Sequence, residues 1–267
     1  KIVIVNKYII PEINKKMGFS NIIELNEDII INIINLYTME PGVRKLKELL
    51  FDLYGELNIE LLKTNSDIGV LPIKITMEDI ENKYLKKYYK VREKMVQTDS
   101  RSGVINGLWA NVLGKGGIIQ IEVSFCPSNA ILDLKLTGMQ GDVMKESMNV
   151  SKTVAWNLTT DAIKKKLYKE QEDNKSKGIH IHCPEGGVSK DGPSAGTAIT
   201  LAIYSVLNNL KIRCDVGITG EIDLIGNVTA IGGIEDKILG GISAGVKKFI
   251  FPKENESEYN EFCKKNR

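Results

Sequence analysis

The sequence predicts the α+β fold class, with the chain divided into a helical part and a mixed part. Over residues 1–86, apolar residues recur at three- and four-residue intervals, most clearly between Gly42 and Lys63, which is typical of amphipathic helices. Residues 87–97 are polar and poorly periodic, as in a linker. Over residues 98–267, β-rich runs and helical patterns mix without strict alternation, which indicates an α+β domain.

Local patterns predict each element of the first part. Asn26 and Thr76 are residue types that cap helix N-termini, and Thr76 begins a capping-box pattern that ends at Asp79. Pro11 predicts a kink or a break, because proline lacks the amide that a helix interior uses. The predicted elements are helices over 3–16, 26–37, 42–63 and 76–86, and short strands over 22–25 and 72–76.

In the second part, Gly114-Lys115-Gly116-Gly117 separates two β-rich runs, which predicts a hairpin. The predicted strands cover 104–112, 118–125, 131–137, 179–183, 215–221, 227–231 and 248–251. The predicted helices cover 141–156, 160–168, 194–210 and 234–244. The strand over 179–183 therefore leads through a glycine-rich loop into the helix over 194–210.

The composition argues against several classes of partner. The chain has 267 residues, a net charge of +2 and 26% charged residues, an ordinary balance that does not indicate nucleic acid or an anionic membrane surface. No apolar run approaches the ~20 residues of a membrane span. The start at Lys1 has no signal-peptide layout, and we expect a piece of a longer chain.

The four cysteines, Cys126, Cys183, Cys214 and Cys263, form no CxxC pair. We therefore expect no metal site, and free thiols in a reducing compartment such as the cytoplasm or the mitochondrial matrix. Cys183 follows His182 directly, which raises the question of a Cys–His pair. Neighbours in a strand point to opposite faces of the sheet, which disfavours that interpretation.

The most informative stretch is the glycine-rich loop over 186–196, which precedes an apolar run. We expect the helix to begin at Ser194, so that amides and the positive end of the helix dipole converge there on a phosphate or an oxyanion. Gly187 and Gly192 have the spacing of a P-loop. Pro193 replaces the P-loop lysine and removes an amide donor, which disfavours phosphate binding.

Acyl transfer by Ser194 requires a base, and Lys237 is the candidate. It lies in an apolar helical pattern directly after Gly232-Gly233. An inward-pointing lysine there would be desolvated, which favours its neutral form, the form that can act as a base. Serine with lysine is a known variant of the catalytic triad. Two alternatives stay open, a nucleotide-binding module at the glycine-rich loop and a non-catalytic assembly domain.

The ordered motifs resemble the Lon family of ATP-dependent proteases. They are Pro184-Glu185-Gly186, Lys190-Asp191-Gly192-Pro193-Ser194-Ala195-Gly196, Thr219-Gly220-Glu221 and Gly232-Gly233 followed by Lys237. The resemblance implies that Ser194 is the nucleophile of a serine endopeptidase and that Lys237, 43 residues later, is its dyad lysine. The expected fold of this part is that of a Lon-type α+β proteolytic domain.

Four further residues match family positions near the dyad. The resemblance implies that the Thr219 hydroxyl orients Lys237, although a threonine is also common at a strand end. His182 and Glu122 match positions near the site and are equally compatible with structural hydrogen bonding. For Asp191 we expect a cap on the helix that Ser194 begins, rather than a step in catalysis.

The first part also resembles the family, at Tyr37 to Leu46. The resemblance implies the small helical (lid) subdomain of an AAA+ module, with Arg44 as the sensor-2 arginine that contacts nucleotide phosphate. A solvated arginine in the first helical turn is the alternative.

No Walker motif is present, so we expect the ATPase core, with ATP and Mg²⁺, outside this chain and no cofactor within it. The chain also stops at Arg267, before the family's usual last strand and helix. The resemblance implies unfolded or misfolded proteins as substrates and a homo-oligomer, a hexamer in the full-length protein.

Overall fold

The computed structural model describes residues 1–18, 22–38, 40, 42–63, 72–91, 94–111, 114–173, 175–184 and 191–265. The chain divides into two compact units, Lys1–Arg92 and Glu93–Arg267. The division falls inside 87–97, the stretch predicted to be a linker. Each unit has its own hydrophobic core.

In its described residues, the first unit is helical apart from one pair of two-residue parallel strands. Its elements are α1 (Ile2–Ile4), a π-turn (Val5–Ile9), α2 (Ile10–Met17), β1 (Ile23–Glu24), α3 (Glu27–Tyr37), α4 (Arg44–Lys63), β2 (Ile73–Lys74), α5 (Met77–Asp79) and a second π-turn (Ile80–Tyr84). Leucines on one face of α4 are buried at three- and four-residue spacing, as predicted: Leu46, Leu49, Leu50, Leu53 and Leu57.

The helix near Pro11 does not break. The turn before it widens to a π-turn, in which the Ile10 amide donates to the Val5 carbonyl five residues earlier. A wider turn relieves the clash that a proline ring makes with the carbonyl four residues back. The capping box at Thr76 is confirmed, since its hydroxyl accepts from the Asp79 amide at 3.2 Å and the Asp79 carboxylate accepts from the Thr76 amide at 3.0 Å.

The second unit is built on one six-stranded sheet with the strand order β10-β7-β3-β4-β6-β5. β3–β4 and β4–β6 are antiparallel, and the other pairs in the sheet are parallel. Its strands are β3 (Val104–Ala110), β4 (Gly116–Pro127), β5 (Leu134–Thr137), β6 (Lys177–His182), β7 (Val216–Ile218) and β10 (Lys248–Ile250). A separate hairpin joins β8 (Glu221–Ile222) to β9 (Val228–Thr229).

The helices of this unit are α6 (Asp142–Leu158), α7 (Asp161–Glu172), α8 (Gly196–Leu207), α9 (Ile234–Ser243) and α10 (Glu256–Lys265). α6 and α8 share the main core with alternate residues of the sheet, among them Ile121, Val123, Ile179 and Ile181. Because mixed helices and strands form one core, the predicted α+β character of the second unit is confirmed.

α9 packs on the β3–β4 hairpin through main-chain atoms. A Cβ atom added at Gly240 would collide with the backbone of Gly116 and Gly117, and one added at Gly116 would collide with the backbone of Asp236. Glycine at both positions therefore allows the helix to approach the strand without intervening side chains. This close contact fixes the helix that carries Lys237.

Some predictions for the second unit are wrong in detail, and one helix was not predicted. The predicted strand over 215–221 ends at Ile218, and Glu221 belongs to the β8–β9 hairpin. The predicted helix over 194–210 begins at Gly196 and ends at Leu207. α10 was not predicted at all; its Phe262 packs on a small core of Ile231, Ile234 and Ile238.

Candidate functional site

Ser194 lies in a short 3₁₀ turn, Pro193–Ala195, between the glycine-rich loop and α8. The preceding Gly192 has a φ of 127°, a conformation that favours glycine. The Gly196 amide donates to the Pro193 carbonyl and closes the turn. The expectation that Ser194 is the first residue of the α-helix is therefore wrong, because the chain makes one tighter turn first. The Ser194 side chain is half-buried.

The main chain of Ser194 is held by the segment that follows β7. The Ser194 carbonyl accepts from the Gly220 amide at 2.8 Å and from the Thr219 hydroxyl at 3.1 Å. The Thr197 amide and hydroxyl both donate to the Gly220 carbonyl at 3.0 Å. A Cβ atom at Gly220 would lie 2.6 Å from a Val228 methyl, so this close pairing requires glycine. The 3₁₀ turn is thus fastened to residues 219–220.

Lys237 is buried on α9, with 4% of its surface exposed. Its Nζ donates to the Thr219 hydroxyl at 3.2 Å, and it forms no ion pair with any other described residue. Burial lowers the pKa of Lys237 to about 8. About a tenth of the lysine is therefore neutral at pH 7, and a neutral amine is the form that can accept a proton.

Thr219 connects the two predicted catalytic residues. Its hydroxyl accepts from Lys237 and donates to the Ser194 carbonyl, and its amide donates to Ile250 in the neighbouring strand. Only 1% of Thr219 is exposed. A side chain that is anchored on both sides fixes the direction of the lysine amine relative to the turn that carries Ser194.

Asp191 caps a helix, but not the predicted one. Its Oδ1 accepts from the Met144 amide at 3.0 Å, in the first turn of α6, and from the Gly192 amide at 3.0 Å. A Cβ atom at Gly141, the N-cap residue of α6, would lie 2.6 Å from that Oδ1. The carboxylate thus supplies a cap that glycine cannot, and it ties the start of α6 to the residues that precede Ser194.

Two serines of α6 also hold the turn, and the sequence analysis missed them. The Ser151 hydroxyl donates to the Gly196 carbonyl at 2.9 Å, and Ser147 donates to the Pro193 carbonyl at 3.5 Å. Thr200 also donates to Gly196, at 2.8 Å. Small polar residues four apart on the buried face of a helix are the signal that could have identified them.

Glu122 and His182 are adjacent across β4 and β6, and Thr137 on β5 is the next residue in the same row. His182 Nδ1 lies 2.7 Å from the Thr137 hydroxyl, whereas the Glu122 carboxylate makes no hydrogen bond in the described part of the chain. No hydrogen bond links either residue to Ser194 or Lys237 within those same ranges. Cys183 is buried in the core, on the face opposite to His182.

Arg44 is the exposed first residue of α4, in the first unit. The N-terminus of this helix is capped by Glu40, whose carboxylate accepts from the Lys45 and Leu46 amides at 2.9 Å each. Burial alone would raise the pKa of Glu40, but hydrogen bonds from these amides, together with the charge of Lys1, outweigh it and hold that pKa below its usual range. The Arg44 side chain forms no ion pair within residues 1–63 as far as they are described.

Residues 185–190, which include Gly187 of the possible nucleotide loop, lie outside the described residues. Within the described ranges, no group of three or more His, Cys, Asp and Glu side chains is arranged to hold a metal ion. No helix in those ranges is long and apolar enough to cross a membrane.

Comparison with known proteins identifies the family. Residues 74–267 match the family described as the Lon protease (S16) C-terminal proteolytic domain. A Lon protease of Fusobacterium nucleatum is 38% identical over 264 residues, which are 98% of this chain and 33% of that protein. A Lon protease of Fervidobacterium nodosum is 36% identical over 258 residues, 96% of this chain and 30% of that protein.

A protein of Caenorhabditis elegans named Lon protease homolog 2, peroxisomal, is 34% identical over 266 residues, 95% of this chain and 33% of that protein. The chain thus spans about a third of the length of these curated relatives. The match covers the described site from β4 to α9, including Ser194, Thr219 and Lys237. The chain therefore belongs to the Lon protease family and carries its C-terminal proteolytic domain.

Proposed function

We propose that this chain is the peptide-hydrolysing part of a serine endopeptidase, with Ser194 as nucleophile and Lys237 as general base. The observation that carries the proposal is the hydrogen-bonded path from Lys237 Nζ through the Thr219 hydroxyl to the Ser194 carbonyl. A buried lysine without an ionic partner is costly for stability. A need for a neutral amine beside a nucleophile explains why it is retained.

The reaction follows from these groups. Neutral Lys237 accepts the proton of the Ser194 hydroxyl while Oγ attacks the carbonyl carbon of a peptide bond. The resulting tetrahedral species collapses when Lys237 returns the proton to the leaving amine, which leaves an ester on Ser194. Water, deprotonated by the same lysine, then attacks the ester carbonyl, and the lysine returns that proton to Ser194 Oγ as the C–O bond breaks and the acid is released. Main-chain hydrogen bonds at residues 219–220 hold the turn in place through both stages.

The test is hydrolysis of a fluorogenic peptide by single variants. We expect Ser194→Ala to abolish cleavage with the fold intact, and Lys237→Arg to be inactive because arginine stays protonated. Matched controls are Ser243→Ala at the end of α9 and Lys253→Arg, both at exposed positions. Activity of Ser194→Ala above about a tenth of wild type would assign the reaction to another nucleophile.

We further propose that the first unit is the small helical subdomain of an AAA+ module, with Arg44 directed at nucleotide in the longer protein. Support comes from the relatives, which match 96–98% of this chain at 36–38% identity overall and are about three times as long. In the complete protein we propose an ATPase core that uses ATP and Mg²⁺, a homohexameric ring, and unfolded or misfolded proteins as substrates. We propose the cytoplasm or the mitochondrial matrix as its location.

ATP dependence can be separated from cleavage with this chain alone. Unfolding a stable substrate to expose its peptide bonds costs about 5–15 kcal/mol, which a motor must supply. Peptide hydrolysis itself needs no nucleotide. We expect slow cleavage of an unstructured peptide without ATP, and no degradation of a stably folded protein with or without Mg-ATP. ATP-stimulated degradation of the folded protein by this chain would contradict the assignment of the motor to a missing segment.

A further inference from the structure

The only two histidines of the chain lie next to each other on the sheet. His180 and His182 are two residues apart on β6, so their side chains project from the same face. His180 Nε2 lies 2.9 Å and His182 Nδ1 lies 2.7 Å from one atom, the hydroxyl oxygen of Thr137. Two imidazole nitrogens from different rings therefore converge on a single point.

Convergence of this kind is the geometry that a transition-metal ion requires. Zinc–imidazole distances are about 2.0–2.1 Å, so each nitrogen would need to move by less than roughly 1 Å toward a shared ion. The hydroxyl of Thr137 has one proton and can donate to only one ring at a time. One ring therefore offers a lone pair to the hydroxyl and the other an N–H, so metal binding requires the second ring to move its proton to its other nitrogen and the Thr137 hydroxyl to rotate away.

Two charged residues, one of each sign, flank the histidines. Glu122 is the direct neighbour of His182 across β4–β6, is half-buried, and has no partner in the described ranges that would neutralise its carboxylate. Lys135, opposite His180 on β5, is a nearby cation that opposes an incoming ion.

We propose that His180 and His182 form a two-histidine binding site for a divalent transition-metal ion, with zinc as the best-suited ion and Glu122 as its neighbouring anion. Zinc, nickel and copper prefer imidazole, whereas magnesium and calcium prefer oxygen ligands. The remaining coordination positions are left to water. The proposal does not depend on the proposed peptidase activity, because neither ring is hydrogen-bonded to Ser194 or Lys237 within the described residues.

The test is a zinc titration of the whole chain followed by NMR of its histidine side chains. Since there are only two histidines, two ring signals report this site directly and separate it from zinc bound to cysteines. We expect both signals to shift together with 1:1 stoichiometry, and ¹⁵N shifts to identify His180 Nε2 and His182 Nδ1 as the bound atoms. Magnesium at the same concentration should move neither signal.

Variants make the test quantitative. His180→Gln and His182→Gln should each weaken zinc binding by about tenfold or more, because one ligand cannot chelate. Glu122→Gln should weaken it a few-fold through lost charge, and the exposed Glu254→Gln is the matched control. Unmoved histidine signals at roughly 1 mM zinc would overturn the proposal, since any remaining affinity would be weaker than millimolar. Binding through the two outward nitrogens would also overturn it.

Discussion

Replacement of Lys237 by methionine should stabilise the protein while abolishing its proposed activity. Lys237 is 4% exposed and has no ionic partner among the described residues, so its charged form is held in an unfavourable environment. Methionine has a similar length and fills the same volume without a charge. The prediction follows from the burial that makes the lysine a suitable base.

The pKa of Lys237 determines the size of the effect. Burial lowers it from 10.5 to about 8, a difference of about 2.5 pH units. At 1.36 kcal/mol per unit, the protonated lysine costs about 3 kcal/mol of folding free energy at neutral pH. Loss of the hydrogen bond to Thr219 offsets about 1 kcal/mol of the gain. We therefore expect Lys237→Met to be about 2 kcal/mol more stable than wild type at pH 7.

The pH dependence has a definite sign. The folded pKa lies below the unfolded one, so between pH 8 and 10.5 the unfolded chain binds more protons than the folded chain. Wild-type stability therefore rises with pH through this window, relative to a variant without the lysine. Below pH 8 the full cost is present. The advantage of Lys237→Met should thus be greatest at pH 7 and should disappear near pH 10.

Urea unfolding followed by tryptophan fluorescence reports on the second structural unit, which contains Lys237. Both tryptophans, Trp109 and Trp156, lie within Glu93–Arg267. A gain of 2 kcal/mol corresponds to a midpoint about 1 M higher in urea. Lys253→Met, at an exposed position, is the control and should leave the midpoint unchanged at both pH values.

Two results would refute the reasoning. A Lys237→Met protein that is no more stable than wild type at pH 7 would mean that the lysine is better solvated than its burial indicates. An advantage that stays constant from pH 7 to pH 10 would mean that the gain comes from packing rather than from removal of a charge.

Four further results are expected. Peptide hydrolysis should rise about tenfold per pH unit below pH 8 and level off above it, as Lys237 becomes neutral; a profile flat from pH 6 to 9 would exclude the lysine as base. Thr219→Val keeps the shape but leaves the Lys237 amine without its partner, and should lower kcat by about 10–100-fold, or 1–3 kcal/mol, with little change in KM. Gly240→Ala forces a Cβ into the backbone of Gly116 and should lower stability by about 3 kcal/mol or more in the same urea assay. Asp191→Ala should cost about 1 kcal/mol by removing the cap of α6, and Asp191→Asn should recover most of that loss because asparagine caps equally well.

Periodicity was sufficient to locate most elements. α4 and β4 were predicted because one face of each is buried, and burial imposes a spacing of 3.6 or of 2 on the apolar residues. α10 was missed for the same reason: it has few apolar residues, and it is anchored by Phe262 on residues 24 or more positions earlier in the chain. A helix held by so few contacts leaves little periodic signal.

Local sequence also could not determine which groups the site residues would contact. Asp191 has the right type for a cap, but which helix it caps depends on how α6 packs beside the loop. The 3₁₀ turn at Ser194 depends on acceptors and donors at residues 219–220, which are distant in sequence. In contrast, a deeply buried Lys237 was predictable from its apolar helical setting, because only its immediate helix matters for that conclusion.

The contact of α9 with the β3–β4 hairpin has a consequence for how this site can vary. The depth at which Lys237 lies is set where main chain meets main chain, at Gly116 and Gly240, rather than by the size of any side chain. No substitution at those two positions can raise or lower the helix by a small step, since even a methyl group collides. Single substitutions at this contact therefore cannot change the pKa of Lys237 in small steps. Adjustment must come instead from the residues that surround its amine, of which Thr219 is the first.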